Sequence, residues 1–279
     1  MLARTLTTLG IWALLFTIIY IFGFIGGVLL IGLFSAATQL ELYRIWEKLG
    51  MRPHIKTGIF WSVILLFVSA FFARYYGWAI GPELFGVGLS LAAVNILNRP
   101  TPAYFQSSFL PTIGGVLIVP FCLYFLIEII ALHAHEYSES EALVLGLWLI
   151  AIVKFTDVGG LLIGKKWGRR RFAPSISPGK TWEGVGGGIL LSCLVAVISV
   201  WLLRSVFPKD LSPLESLIIA IPLAIMAVLS DLLESVFKRF ANQKDSGNTI
   251  PGIGGVYDLT DSLLLTMPLA SILLPLCID

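Results

Sequence analysis

Charge is what this chain has least of. Asp, Glu, Lys and Arg make up 13% of its 279 residues, against roughly a quarter in soluble domains, and the mean hydropathy is +0.90. A soluble globular domain is excluded on that ground. Cysteine is nearly absent too: Cys122, Cys193 and Cys277 each lie in an apolar stretch with no CxxC spacing and no histidine beside them, which reads as buried inert thiols and not as a disulfide framework or a thiolate metal site. Histidine is equally sparse, and His133 and His135 fall in a charged connection that reads as solvated. There is no internal repeat, no low-complexity tract and no polar stretch long enough for a soluble domain. The apolar region from Leu9 to Leu40 has no Ala-x-Ala-type cleavage site and is too long for a signal-peptide core, so the first segment is expected to remain in the mature protein. The net charge of +2 decides nothing, because the basic residues fall in a few clusters; no nucleic-acid partner is expected.

Hydrophobic residues, by contrast, make up 57% of the chain. A helix crosses the hydrocarbon core in about 20 residues, and on that ruler the sequence predicts an all-α, polytopic integral membrane protein of about nine spans. They are placed at 5–22, 27–47, 58–76, 84–98, 105–132, 142–164, 184–206, 213–240 and 258–278. Gly23, Gly26 and Gly27 supply the break between the first two. The whole chain, 1–279, is read as one transmembrane domain, with helices in 1–100 preceding those in 101–279 that carry the chemical motifs.

Basic residues concentrate in cytoplasmic loops. Arg44, Lys48, Arg52 and Lys56 follow the second span, Arg99 the fourth, Lys165, Lys166, Arg169, Arg170, Arg171 and Lys180 the sixth, and Lys238, Arg239 and Lys244 the eighth. All follow even-numbered spans and so share one face. The opposite face holds Arg4, Arg74, Arg204 and Lys209 with the acidic Glu136, Glu139 and Glu141. The expected location is the cell (inner) membrane, with the amino terminus outside and the carboxyl terminus and active site cytoplasmic.

Carboxylates at membrane depth are costly unless paired, hydrated or bound to a cation. Asp231 and Glu234 lie inside one apolar segment, just before Lys238, Arg239 and Lys244; Asp258 and Asp261 open the next, after Ile250-Pro251-Gly252-Ile253-Gly254-Gly255. Positions three apart share a helix face, so Asp231, Glu234, Ser235 and Lys238 form one polar stripe and Asp258 and Asp261 another. The connection between the two helices is short, which predicts that the stripes converge. Oxygen ligands without histidine or cysteine favour Mg²⁺ over zinc. Taken singly, either pair could instead cap a helix or pair with a lysine. The glycine-rich turn could let backbone N–H groups approach an anion or simply permit a tight helix reversal.

A second polar region starts at Lys154-Phe155-Thr156-Asp157-Val158-Gly159-Gly160. It continues through Gly164-Lys165-Lys166 and the arginine run to Ser177-Pro178-Gly179-Lys180-Thr181-Trp182-Glu183-Gly184. Attraction to anionic lipid head groups accounts for the arginines but not for Asp157 or the Ser-Pro-Gly-Lys-Thr string. Lys180 and Thr181 resemble a P-loop ending, yet no strand precedes them and the leading glycine is missing, so a Walker site is rejected. Glu41 and Glu128 are acids whose partners the sequence does not reveal.

The segment from Ser235 through Lys238-Arg239 and Lys244-Asp245 to Gly254-Gly255-Val256-Tyr257-Asp258-Leu259-Thr260-Asp261 closely resembles the signature of the CDP-diacylglycerol synthases, or phosphatidate cytidylyltransferases. The Asp157 region and the Ser177–Gly184 string are similar to that family's other recurrent stretch. The resemblance is detailed over the second half of the chain and rests on the span pattern over the first. Ile253 stands where the family commonly has histidine, and Leu259 where it has arginine, which puts a catalytic imidazole and a phosphate-binding guanidinium in doubt here.

The resemblance implies conversion of CTP and phosphatidate to CDP-diacylglycerol and pyrophosphate, in a membrane lipid environment and as a homodimer. Such chemistry is Mg²⁺-dependent, with two cation sites a common solution. The residues expected to carry it are Asp231, Asp258 and Asp261 as metal ligands, with Asp157 as a further contact. Lys180, Lys238, Arg239 and Lys244 would hold phosphates, Ser235 would donate a hydrogen bond, Gly254 and Gly255 would admit a phosphate to the backbone, and Thr181 and Asp245 would complete the substrate contacts. Two other classes fit less well. An ion-coupled transporter predicts repeats and midplane acids, and a CDP-alcohol phosphotransferase requires an Asp-Gly-x-x-Ala-Arg string that is absent.

Overall fold

The computed structural model describes residues 2–98, 101–208, 211–250 and 254–278. Arg99, Lys209 and the turn residues Pro251, Gly252 and Ile253 lie outside the described residues. The protein is helical: α1 (Leu2–Lys48), α2 (Ile55–Tyr76), α3 (Gly81–Asn98), α4 (Pro102–Tyr104), a π turn at Phe105–Phe109, α5 (Leu110–Ile118), α6 (Pro120–Glu136), α7 (Glu139–Trp167), α8 (Trp182–Leu202), α9 (Pro213–Phe240) and α10 (Tyr257–Cys277). Between α7 and α8, β1 (Arg171–Ala173) and β2 (Ser177–Thr181) form an antiparallel pair. Proline and glycine in that string hide the strand alternation, which is why the sequence does not announce it.

Seven helical segments among the described residues are long and apolar enough to cross a membrane, where the sequence predicts about nine. The difference has two sources. The expected spans 5–22 and 27–47 form one helical segment bent at Gly23, whose φ of 54° and ψ of −135° are not helical. The segment Gly10–Lys48 runs for 39 residues, roughly 58 Å of helix against a core of about 30 Å, so the bend divides a stretch too long for one crossing. It falls at the first of the glycines named as a break. The other source is α3, whose apolar part, Gly81–Val94, is short.

The chain divides into two compact units, Met1–Glu139 with Phe237–Thr260, and Ser140–Val236 with Asp261–Asp279. In the first unit α1, α2, α5 and α6 pack together around Tyr43, Leu66, Tyr124 and Ile127. The bend at Gly23 frees the N–H of Phe24, which donates to Glu139 Oε1 at 2.8 Å, and Arg74 lies 3.7 Å from the same carboxylate. Tyr43 is held at both ends of its hydroxyl, accepting from Gln39 and donating to the carbonyl of Thr112. Glu128, unpartnered in the sequence, accepts from the Tyr124 hydroxyl at 2.8 Å.

In the second unit α7 and α8 approach through glycine. A Cβ on Gly159 would lie 2.8 Å from the carbonyl of Gly187, and one on Gly184 2.8 Å from that of Gly160. These glycines serve close helix packing. Thr181 caps α8, its hydroxyl accepting from the Gly184 N–H at 3.1 Å. Large apolar side chains such as Trp201 and Leu276 remain exposed, as a lipid-facing surface requires. The three cysteines are free thiols.

Candidate active site

In the first unit the site is a helix end, a loop and a helix start. Helix α9 stops at Phe240, with Asn242 in the left-handed region at φ 53° and the Gln243 N–H returning to the carbonyl of Lys238 at 2.8 Å, a helix termination of the kind asparagine tolerates. Arg239 donates to the Gln243 carbonyl. The loop then closes on itself through paired backbone bonds between Ile250 and Gly254 and enters α10.

Asp258, in the first turn of α10, gathers four donors. Its Oδ1 accepts from Lys238 Nζ at 2.6 Å, and its Oδ2 from the Gly255 N–H at 2.7 Å, the Ser246 N–H at 2.9 Å and the Ser246 hydroxyl at 2.8 Å. The reach back to Gly255 ties the turn ahead of α10 to the first turn of the helix. A second carboxylate, Glu41 of α1, accepts from the Ser246 hydroxyl at 2.9 Å, the Thr249 hydroxyl at 2.7 Å and the Tyr257 N–H at 2.9 Å. Glu41 therefore satisfies an orphan N–H of the first residue of α10, and both anions sit at the start of that helix, where the dipole favours negative charge.

This arrangement explains the glycines of the turn. Gly254 has φ 129°, and a Cβ there would stand 2.6 Å from Asp258 Oδ2; a Cβ on Gly255 would collide with the Ser246 hydroxyl and Glu41 Oε2. Those oxygens are hydrogen-bonded and buried, so they cannot retreat. Gly255→Ala is expected to destabilise the purified protein by about 1–3 kcal/mol, the usual range for overpacking, as read by thermal unfolding in detergent. Gly186→Ala, where a methyl meets open space, serves as the control.

In the second unit the carboxylates of Asp231, Glu234 and Asp261 offer oxygens that all lie within 4.8 Å of one another. Glu234 is 1% and Asp261 6% exposed. Lysines surround them. Lys180 Nζ lies 2.8 Å from Asp231 Oδ2 and donates to the Val228 carbonyl. Lys154 Nζ lies 3.4 Å from Asp157 Oδ2 and 3.9 Å from Asp261 Oδ1, and donates to the Ser262 hydroxyl at 2.6 Å. That hydroxyl in turn donates to Asp157 Oδ2 at 3.0 Å. The Ser262 N–H donates to Asp261 Oδ1 at 2.6 Å, and the Ser230 hydroxyl to the Asp261 carbonyl. Four carboxylates face two lysines, leaving a formal excess of negative charge in a partly buried, oxygen-only donor set. That composition fits a hard divalent cation such as Mg²⁺.

The predicted residues thus divide. Asp231 and Asp261 come together, with Asp157 connected to Asp261 through Lys154 and Ser262, while the oxygens of Asp258 are occupied by Lys238, Ser246 and Gly255. Ser235 and Lys238 are buried; Arg239, Lys244 and Asp245 are exposed. Thr181 engages its own helix start. Sequence reasoning did not find Glu41, Ser246, Thr249, Lys154 or Ser262 as members of these clusters. For Glu41 a signal existed: an acid inside an apolar span requires a partner.

Apolar helices enclosing lysine-paired carboxylates define a helical integral membrane protein with an acidic, oxygen-lined centre. The sequence profile of the cytidylyltransferase family matches residues 2–277. The chain is 31% identical over 266 residues to the phosphatidate cytidylyltransferase of Bacillus subtilis strain 168, covering 95% of this chain and 94% of that protein. It is 28% identical over 248 residues to the phosphatidate cytidylyltransferase of Haemophilus influenzae, covering 89% and 77%. To that of Rickettsia bellii it is 36% identical over 193 residues, covering 67% and 78%. The chain belongs to the cytidylyltransferase family, and it is an enzyme.

Proposed function

We propose that this enzyme joins CTP to phosphatidate, forming CDP-diacylglycerol and releasing pyrophosphate with the help of Mg²⁺. The observation that supports the reading is the group Asp231, Glu234 and Asp261 with its attendant lysines, in a chain whose relatives are named for that activity. A phosphate oxygen of the lipid attacks the α-phosphorus of the nucleotide, a new P–O bond forms, and the bond from that phosphorus to the oxygen bridging to the β-phosphate breaks. A phosphate monoester has its second pKa near 6, so the nucleophile is ionised at neutral pH and no general base is needed. This accounts for isoleucine being tolerated at position 253.

The difficulty is the meeting of two anions. Asp231, Glu234 and Asp261 would hold the cation, with Asp157 a further contact; bound there, it supplies charge neutralisation and alignment of phosphate oxygens. Lys180 and Lys154 keep the carboxylates neutralised and positioned, and Lys180 would also offer its ammonium to a phosphate oxygen. In the first unit Asp258, expected from the sequence as a metal ligand, is proposed instead to aim Lys238 and fix the loop. Lys238, Arg239 and Lys244 stabilise charge on the departing pyrophosphate.

The basic loops are proposed to mark the cytoplasmic face of the cell membrane. A crossing helix carries its ends to opposite faces. With the 241–256 loop placed on the cytoplasmic face, α10 would carry Cys277 to the other side, so this reading puts the carboxyl terminus opposite to the cytoplasmic position expected from the sequence. Two crossings separated by the bend at Gly23 would likewise put the amino terminus on the side of Lys48, whereas the sequence reading expected it outside.

Labelled CTP and phosphatidate, incubated with the purified enzyme with and without Mg²⁺, test the reaction. Labelled lipid is expected only when both substrates and the cation are present. Folded enzyme that makes none, or makes the same amount in EDTA, would count against it.

A further inference from the structure

A cavity of about 430 Å³ opens beside the loop that follows α9. Its walls are the end of α1, through Glu41, Arg44, Glu47 and Lys48, and the loop, through Gln243 and Asn248. Glu41, 4% exposed, makes the floor, its carboxylate already engaged by Ser246, Thr249 and Tyr257. Arg44, Glu47, Lys48 and Asn248 form an exposed rim.

The charges of this lining cancel, two acids against two bases, so the cavity does not select a strongly anionic group such as a triphosphate. What distinguishes it is a pair of carboxamides, each able to donate and accept. A flat, uncharged ring edged with donors and acceptors suits that lining, and the volume lies within the range of small-molecule sites. The floor also leads toward the phosphate-handling groups. Ser246 joins Glu41 to Asp258, and Asp258 holds Lys238.

We propose that this cavity receives the nucleoside portion of the nucleotide, with Gln243 and Asn248 contacting the edge of the cytosine ring and the phosphates extending toward Lys238. The assignment rests on the nucleotide-transfer reading above and adds where the base is recognised. Cytosine presents an amino donor where uracil presents a carbonyl acceptor, so well-placed carboxamides discriminate between the two.

Equilibrium dialysis of the full-length enzyme in detergent with labelled CTP, using UTP as competitor, tests this. In Gln243→Ala/Asn248→Ala, CTP affinity is expected to fall about 10-fold or more, the loss of one or two good hydrogen bonds, and the preference over UTP to fall toward parity. Both side chains lie at least partly exposed, so the variant is expected to fold. Unchanged affinity and unchanged preference in the double variant overturn the proposal, as does a wild-type enzyme that binds CTP and UTP alike. The product assay judges the reaction separately: wild-type enzyme that forms labelled lipid while the double variant keeps its CTP preference retains the function and loses the cavity.

Discussion

Asp261→Asn is expected to leave folded enzyme whose kcat is lowered roughly 100-fold or more, the scale seen when one preorganised electrostatic group is removed. Asp261 is buried beside Asp231 and Glu234. The amide keeps the shape of the carboxylate but carries no charge to hold a cation. It also turns a pair of hydrogen-bond donors toward a neighbourhood already supplied by Lys154 and the Ser262 N–H. Asp231→Asn should act in the same direction and release Lys180 from its 2.8 Å contact. Steady-state turnover across a Mg²⁺ titration reads the effect: both variants should need more cation as well as turn over more slowly. Near-normal turnover at ordinary Mg²⁺ in a folded Asp261→Asn enzyme removes this residue from the cation site.

Lys238→Ala is the second large effect, and it should appear in stability as well as activity. Lys238 and Asp258 meet at 2.6 Å with each side chain 11% exposed. Removing one partner of a buried pair leaves an uncompensated charge and typically costs about 3–5 kcal/mol. Asp258 would keep its two N–H donors and the Ser246 hydroxyl but lose its counterion. Thermal unfolding in detergent should show a marked drop, and Lys238→Ala combined with Asp258→Asn should recover part of it, because the stranded charge is gone. Turnover should not recover in the double variant, since the proposed phosphate contact of the lysine stays missing. A single variant that melts with the wild type would show that the pair contributes nothing to the fold.

Much of this was legible in the sequence because membrane helices announce themselves as apolar runs and tolerate few acids. The break at Gly23 was readable from the length of the apolar run together with Gly23, Gly26 and Gly27, and the convergence of Asp231 with Asp261 from spacing and a short connection. The part played by Asp258 was not. A spacing of three residues says that Asp258 and Asp261 share a helix face, but not that one of them turns back to the N–H of Gly255. Glu41 escaped for a different reason: the serine it binds is 205 positions away, and no local pattern encodes such a pairing. Gly159 and Gly184 read as part of a polar, glycine-rich region, whereas helix–helix contact is what requires them. The β1–β2 hairpin was hidden by Pro178 and Gly179, which break the alternation a strand would show.

Ser246 offers its single hydroxyl to two carboxylates, at 2.9 Å from Glu41 and 2.8 Å from Asp258. A hydroxyl carries one hydrogen, so at any instant only one of the two acids receives it, and the other relies on its remaining donors. Rotation about one side-chain bond therefore transfers that hydrogen between the acid under the cavity and the acid gripping Lys238, with no movement of the backbone. One serine hydroxyl is thus shared between the acid under the cavity and the acid that holds Lys238.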